Sequence, residues 1–338
     1  MATVLDPPVL TPETVISDLP NAFSRGRESQ DLFFFESTTS TFPENGIDFE
    51  IRKCPALLHK PHLPTPHFNA SVSPDPFAPP YPAGLLIGEL HGEDDEKYVI
   101  MLNKYRLVLR IILTNRYCWK LTKRRTKRGQ TPLSLDHKSQ TTPPLPPDLV
   151  IAYQLLVSAR KAGTPFFAFF NCGDRSGASQ NHKHLQLLPV AADGPPVERL
   201  AKAQNVDVEA TPFSIDRLPY AQYVRRLPTS LPSAPTDTLY ETLTTAFLQL
   251  LDLAVLAIRH DPNEHPRGPP SFNLILTLSH MHLIPRSQEK YVLTQTGEPM
   301  SINSVGFAGM LLVKSEEEAE AVRKEGILSI LRRVLDRF

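Results

Sequence analysis

The chain has 338 residues, 41% of them hydrophobic, and its 36 Lys and Arg are matched by 36 Asp and Glu. That length suffices for one large or two modest domains, and the zero formal net charge excludes a global field drawing the chain to nucleic acid or to a membrane surface. Three scattered cysteines, Cys54, Cys118 and Cys172, contain no C-x-x-C pair, which argues against a disulfide framework and for a reducing compartment.

The start, Met1 to Pro8, has an early acid and early prolines and does not read as a secretory signal. No apolar run reaches membrane-spanning length, so no membrane partner is expected, and the location expected is cytoplasmic, with a nuclear share allowed. Residues 11–35 predict an amphipathic helix followed by the aromatic cluster Leu32-Phe33-Phe34-Phe35, and 46–52 a short strand. Residues 61–82 form a proline-rich loop, and Tyr98 to Asn103 a buried strand. A helix follows from Pro147, with Asp148 as its N-cap and Gly163 as its stop. Pro165 to Phe170 predicts an aromatic strand pairing antiparallel with His182 to Pro189. Residues 191–235 read as loop and short helix, in which Phe213 and Tyr220 pack. Leu239, Leu243, Phe247 and Leu250 keep helical period over 236–259. Phe272 to Leu278 is a strand, and Ser315 to Glu318 is a capping box opening a final helix with Arg332 and Arg333 near its end.

The most informative stretch is Gly177-Ala178-Ser179-Gln180-Asn181-His182-Lys183-His184-Leu185-Gln186-Leu187. In an extended strand, His182, His184 and Gln186 share one face, and Lys183, Leu185 and Leu187 the other. The small polar run from Asn171 to Gln180, with Gly173 and Gly177, can turn backbone N–H groups toward an anion, and Ser179 and Gln180 add side-chain donors. A neutral imidazole beside such a loop suits nucleophilic attack on phosphorus. The spacing alone is equally that of a surface histidine pair. It also allows a zinc site, although Gln186 is a poor third ligand. No dedicated metal ligands are assigned.

The whole stretch resembles the histidine-triad superfamily, in the transferase branch where glutamine replaces the third histidine. Ser-Gly-Ala-Ser-Gln-x-His-Lys-His-Leu-Gln is similar to the fungal diadenosine tetraphosphate phosphorylases, or ATP adenylyltransferases. The hexose-1-phosphate uridylyltransferases usually have proline where Lys183 stands. The resemblance implies an α+β fold, an antiparallel sheet with flanking helices in two related halves. It also implies a nucleotidyltransferase that cleaves diadenosine tetraphosphate with phosphate to ADP and ATP, or runs the reverse. His184 is the expected nucleophile, forming an adenylyl-histidine, with His182 and Gln186 assisting. By the same resemblance Lys60, Asn103, Lys104, Asn171, Gly177, Ala178, Ser179, Gln180, Gln186, Asn303, Ser304, Val305, Met310 and Lys314 contact nucleotide or phosphate. Lys104 is read as a charge clamp beside the phosphate loop, and Asp75-Pro76-Phe77-Ala78-Pro79-Pro80-Tyr81 as a lid-like approach. Lys60 alone would pass for a solvated lysine, and Met310 for core. A divalent cation such as Mg is expected with the polyphosphate, the partners are small molecules only, and a monomer is favoured.

The expected organisation is an extension over 1–45, a catalytic half over 46–190, and a half over 191–338 completing the nucleotide site. His280-Met281-His282-Leu283-Ile284-Pro285 echoes the first histidine motif without its glycine-rich lead-in and is read as structural. Residues 106–137 depart from the family. They read as a basic nuclear-localisation or nucleic-acid patch around Lys123 to Arg128, a solvated insertion, or, as favoured, retained intron sequence displacing a core strand. The last predicts a damaged sheet and weak activity. The competing functions are a nucleotide-sugar uridylyltransferase, a nucleotide-binding or nucleic-acid-associated chain without catalysis, and a zinc protein.

Overall fold

The computed structural model describes residues 7–55, 75–92, 96–106, 111–115, 118–120, 134–136, 138–205, 210–259 and 269–335. Lys60 and the basic run Lys123 to Arg128 lie outside them. An eight-stranded, wholly antiparallel sheet organises the chain. Its strands run, edge to edge, Tyr223–Arg226, His280–Pro285, Phe272–Leu276, Phe166–Cys172, His184–Pro189, Ile111–Asn115, Lys97–Leu102 and Leu86–His91. The central strand Phe166–Cys172 is buried along its whole length, so it reads as a continuous apolar run, not as an alternation.

The two sheet faces are covered differently. Leu185, Leu187, Phe170 and Leu274 pack against helices Pro12–Glu28, Pro146–Lys161 and Thr236–Arg259. Phe167, Phe169, Leu188, Ile275 and Ile284 pack on the other side against a three-stranded sheet and the C-terminal helices. That smaller sheet joins Thr38–Glu44, Ile47–Lys53 and Met310–Val313. Its hairpin turns at Asn45 and Gly46, both at positive φ, so the boundary expected at residue 45 falls inside a turn.

Strand–helix–hairpin occurs twice in chain order, as Ile111–Asn115, Pro146–Lys161, Phe166–Cys172, His184–Pro189 and as Tyr223–Arg226, Thr236–Arg259, Phe272–Leu276, His280–Pro285. The two units meet where Phe166–Cys172 pairs with Phe272–Leu276. The histidine echo therefore occupies matching strands of a topological repeat.

Three expectations change. The sheet is not damaged after Arg106: Ile111–Asn115 fills the place between His184–Pro189 and Lys97–Leu102, and Ile111 to Thr114 are buried. The run Ile111-Ile112-Leu113-Thr114 supplies the apolar, β-branched residues an inner strand requires. Asp148 is not the N-cap; the helix begins at Pro146, and Asp148 is its third residue, within the first turn, accepting from Leu145 N at 2.7 Å. The final helix is two, Glu316–Glu325 and Ile327–Arg333, separated at Gly326 with φ 82°.

Candidate active site

Strand alternation sends Leu185 and Leu187 into the helix-backed core and leaves His184 and Gln186 on the opposite face. Burying those two leucines stabilises the fold by about 2 kcal/mol each, which anchors the element carrying the imidazole. His184 Nδ1 donates to the His182 carbonyl at 2.8 Å. That bond assigns the remaining lone pair to Nε2, which accepts from Gln186 Nε2 at 3.4 Å. Burial pushes the His184 pKa down to about 4, against the smaller opposing effect of the His182 carbonyl. The ring is therefore neutral at pH 7.

The strands Phe166–Cys172 and His184–Pro189 pair only as far as Phe169 and Gln186. Beyond that point the buried side chain of Gln140 takes over the hydrogen bonding. Its Oε1 accepts from His184 N at 2.8 Å, and its Nε2 donates to Asn171 O at 2.8 Å and His184 O at 3.3 Å. His182 is held from outside the strand: its Nδ1 meets Asp75 Oδ2 at 2.9 Å. Phe77, two residues on, lies edge-on to His182 (5.7 Å between ring centres) and tilted over His184 (4.9 Å). The Asp75 to Phe77 segment thus roofs both imidazoles, and His184 is 3% exposed.

Lys183 points to the back. Its Nζ is buried against Asp148 Oδ2 (2.5 Å) and Pro143 O (2.9 Å), and Tyr98 donates to the other Asp148 oxygen at 2.9 Å.

The glycine-rich loop lies against the turn that opens helix Ser304–Phe307. Gly177, with φ 77°, comes so close that a Cβ there would meet Ile302 O at 2.7 Å and Asn303 Cβ at 2.9 Å, which only glycine tolerates. Asn303 caps the helix, accepting from Val305 N at 3.0 Å. Asn171 Oδ1 accepts from Ser304 N (2.9 Å), Ser304 Oγ (2.7 Å) and Asn273 Nδ2 (2.8 Å). Asn171, the Gly177 to Gln180 loop and Asn303 to Val305 are therefore gathered at the His184 end of the sheet.

Other expected contacts are placed elsewhere. Val99 is level with Thr114, and Thr114 with His184, so Asn103 and Lys104 lie beyond the far end of the sheet. At ~3.3 Å per residue they are about 13 and 17 Å further along the strand direction than His184. Lys104 is hence not beside the phosphate loop; its Nζ lies 5.5 Å from the Phe33 ring. Register, invisible in the string Asn103-Lys104, decides this. Met310 is buried in the same core as Phe169 and Val305, and Lys314 pairs with Glu298 at 3.0 Å.

The echo pair is enclosed. His280 Nδ1 and His282 Nε2 lie 3.1 and 3.5 Å from the two carboxylate oxygens of Glu198, which is itself buried. Despite that burial, the hydrogen bonds from both imidazoles hold the Glu198 carboxyl down at about 2.

Asp75, Phe77, Gln140 and Asn273 are parts of this site that sequence reasoning did not assign. The Asp75-Pro76-Phe77 string, read as part of a lid-like approach, carried the signal for the first two, and nothing in the sequence reading pointed to Gln140. No local pattern marks Asn273.

Two family models match the chain: the ATP adenylyltransferase C-terminal domain over residues 216–335 and the Ap4A phosphorylase N-terminal domain over 155–202. The chain is 27% identical over 309 residues to diadenosine 5',5'''-P1,P4-tetraphosphate phosphorylase 2 of Saccharomyces cerevisiae, covering 86% of this chain and 83% of that protein. Among solved structures it is similar to yeast Ap4A phosphorylase Apa2, with TM-score 0.72 and 25% identity over 94% of this chain and 93% of that one. The complex of yeast Apa2 with Ap4A superposes with TM-score 0.70, at 24% identity, over 94% and 96% of the two chains.

Proposed function

The chain belongs to the diadenosine tetraphosphate phosphorylase (ATP adenylyltransferase) family of fungal type, and we propose that His184 is its nucleophile in phosphorolysis of diadenosine tetraphosphate to ADP and ATP. The enzyme is a nucleotidyltransferase. The observation that carries the residue assignment is the His184 ring itself. It is neutral, with Nδ1 committed to the His182 carbonyl and Nε2 left as the nucleophilic lone pair.

Nε2 attacks the α-phosphorus of one adenylate, the bond to the bridging oxygen breaks, and ATP leaves. The imidazolium formed is stabilised through its Nδ1–H by the His182 carbonyl. Inorganic phosphate then attacks the adenylyl-histidine, the N–P bond breaks, and ADP leaves with the imidazole neutral again. The reverse sequence joins ADP and ATP. Gln186, within reach of Nε2, transfers its amide N–H from the lone pair to a non-bridging oxygen as charge redistributes. A glutamine supplies no proton, which suits an anionic acceptor that needs none removed better than it suits water. The Gly177 to Gln180 loop and the Asn303 turn face the phosphates. The Asp75 to Phe77 roof shifts when the α-phosphorus reaches Nε2, because Phe77 covers that ring. A divalent cation enters with the polyphosphate as part of the substrate. Asn103 and Lys104, along the same sheet, meet a distant part of so long a ligand.

The test is chromatographic. Purified chain, diadenosine tetraphosphate and phosphate yield ADP and ATP in equal amounts, with no turnover when phosphate is omitted. Phosphate-independent release of AMP, or turnover of UDP-glucose with none of the dinucleotide, contradicts the reading.

A further inference from the structure

The strand His280–Pro285 ends at Arg286, which the mechanism above does not use. The residue is 2% exposed. Nη1 donates to Asn273 Oδ1 (2.5 Å), Ile302 O (2.7 Å) and, more weakly, Ser176 O (3.4 Å). Nη2 donates to Gln288 O (2.5 Å) and Glu289 O (3.3 Å), and the group stacks 5.0 Å from the Phe307 ring centre. Every hydrogen-bond partner is a neutral oxygen, and among the described residues no carboxylate lies at ion-pair distance from it; the Glu289 carboxylate acts on it only from further off. A guanidinium retains its charge even when burial lowers its pKa to about 9, as here.

The two carbonyls it holds belong to the peptides Ser176–Gly177 and Ile302–Asn303. In a trans peptide the C=O and the N–H point in opposite directions. Carbonyls drawn inward onto Nη1 therefore turn the Gly177 and Asn303 N–H groups outward, on the side away from Arg286. Asn273 reinforces the arrangement: its Nδ2 donates to Ser176 O at 2.9 Å. Among the described residues neither outward N–H has an acceptor. Two N–H groups from neighbouring segments turned to one side offer an anion a pair of donors, here backed by a buried positive charge that water does not screen.

We propose that Arg286 is a positioning residue for polyphosphate: it orients the Gly177 and Asn303 amides toward the phosphates and adds behind them a positive charge that no carboxylate contacts directly. The proposal rests on the assignment of this loop as the phosphate-binding element. It also gives the second half of the repeat a task. The strand matching the nucleophile's strand delivers a cation instead of an imidazole.

The experiment compares full-length wild type, Arg286→Gln and Arg286→Lys by calorimetric titration with adenosine, AMP and ATP. A loss that is merely structural weakens all three ligands alike. The proposal expects a loss graded by phosphate. In Arg286→Gln, adenosine affinity stays within about threefold while ATP affinity falls at least about tenfold, with AMP between, as befits hydrogen bonds to charged groups. Should Arg286→Gln not fold, Arg286→Lys carries the same test at smaller scale, with about a three- to fivefold loss for ATP and none for adenosine. Equal losses across the series, or none for ATP, overturn the proposal. If the wild type binds none of the three ligands, the parent assignment of the site falls as well. If it binds them and only the gradation is missing, this inference alone falls.

Discussion

His184 carries two constraints on one ring. Its Nδ1–H is fixed by a backbone carbonyl, and its burial keeps it uncharged. The pKa sets the sign of two pH effects. An unfolded histidine takes up its proton near 6.5, whereas this one resists until about 4. Stability from this group is therefore flat above 6.5 and is lost as pH falls toward 4, by about 2 kcal/mol between pH 7 and pH 5. His282, also lowered by burial, acts in the same direction. Denaturant titrations at pH 7 and pH 5 are expected to show the fall in wild type and a smaller one in His184→Gln; an equal fall in both would place the acid sensitivity elsewhere. In kinetics, the acid limb of kcat/KM attributable to the nucleophile is expected near 4, and a limb near 6.5 would mean a solvated ring.

On the element scale, two local devices hold the histidine strand and its loop. Lys183, between the two histidines, is tied through the sheet to Asp148 in the first turn of helix Pro146–Lys161. Removing one partner of a buried pair leaves the other charged and uncompensated, so Asp148→Ala is expected to cost about 3–5 kcal/mol in urea unfolding, and replacing both partners with apolar residues to recover most of it. Gly177 is the second device. An alanine there faces both a positive φ and the Ile302 carbonyl, so Gly177→Ala is expected to destabilise by about 1–3 kcal/mol and to raise KM for polyphosphate. Unchanged melting and unchanged KM would show that the loop is not held as described.

The sequence was legible where chemistry is local. Alternation placed His184 and Gln186 opposite Leu185 and Leu187, and two glycines announced the loop. It was not legible where partners lie far apart in the chain. Asp75 reaches His182 across 107 positions, and Gln140 reaches His184 across 44. Register was hidden too: Lys104 follows an orderly strand, yet pairing carries it to the end of the sheet away from the loop. The strand Ile111–Asn115 was obscured for another reason, since its basic neighbours masked an apolar run that suits an inner strand.

For the whole molecule, the repeat sets what each half contributes. The two H-x-H motifs stand at matching places in the repeat, the first opening onto its strand and the second within it, but their surroundings differ. One pair lies beside a glycine loop and beneath a roof, while the other is locked onto Glu198 inside the core. Accordingly His282→Ala is expected to lower the melting temperature while leaving adenylyl transfer in the folded fraction within a fewfold of wild type, whereas His184→Ala abolishes transfer without comparable unfolding. Equal loss of transfer in both, at equal stability, would contradict the division of labour. The central claim is tested most directly by incubating the full chain with diadenosine tetraphosphate in the absence of phosphate, digesting it under alkaline conditions that preserve phosphoramidates, and mapping the modified peptide by mass. The account predicts one acid-labile adenylyl group, on His184, discharged as ADP when phosphate is added. An unmodified His184 peptide during active turnover, or the adduct on any other residue, would contradict it.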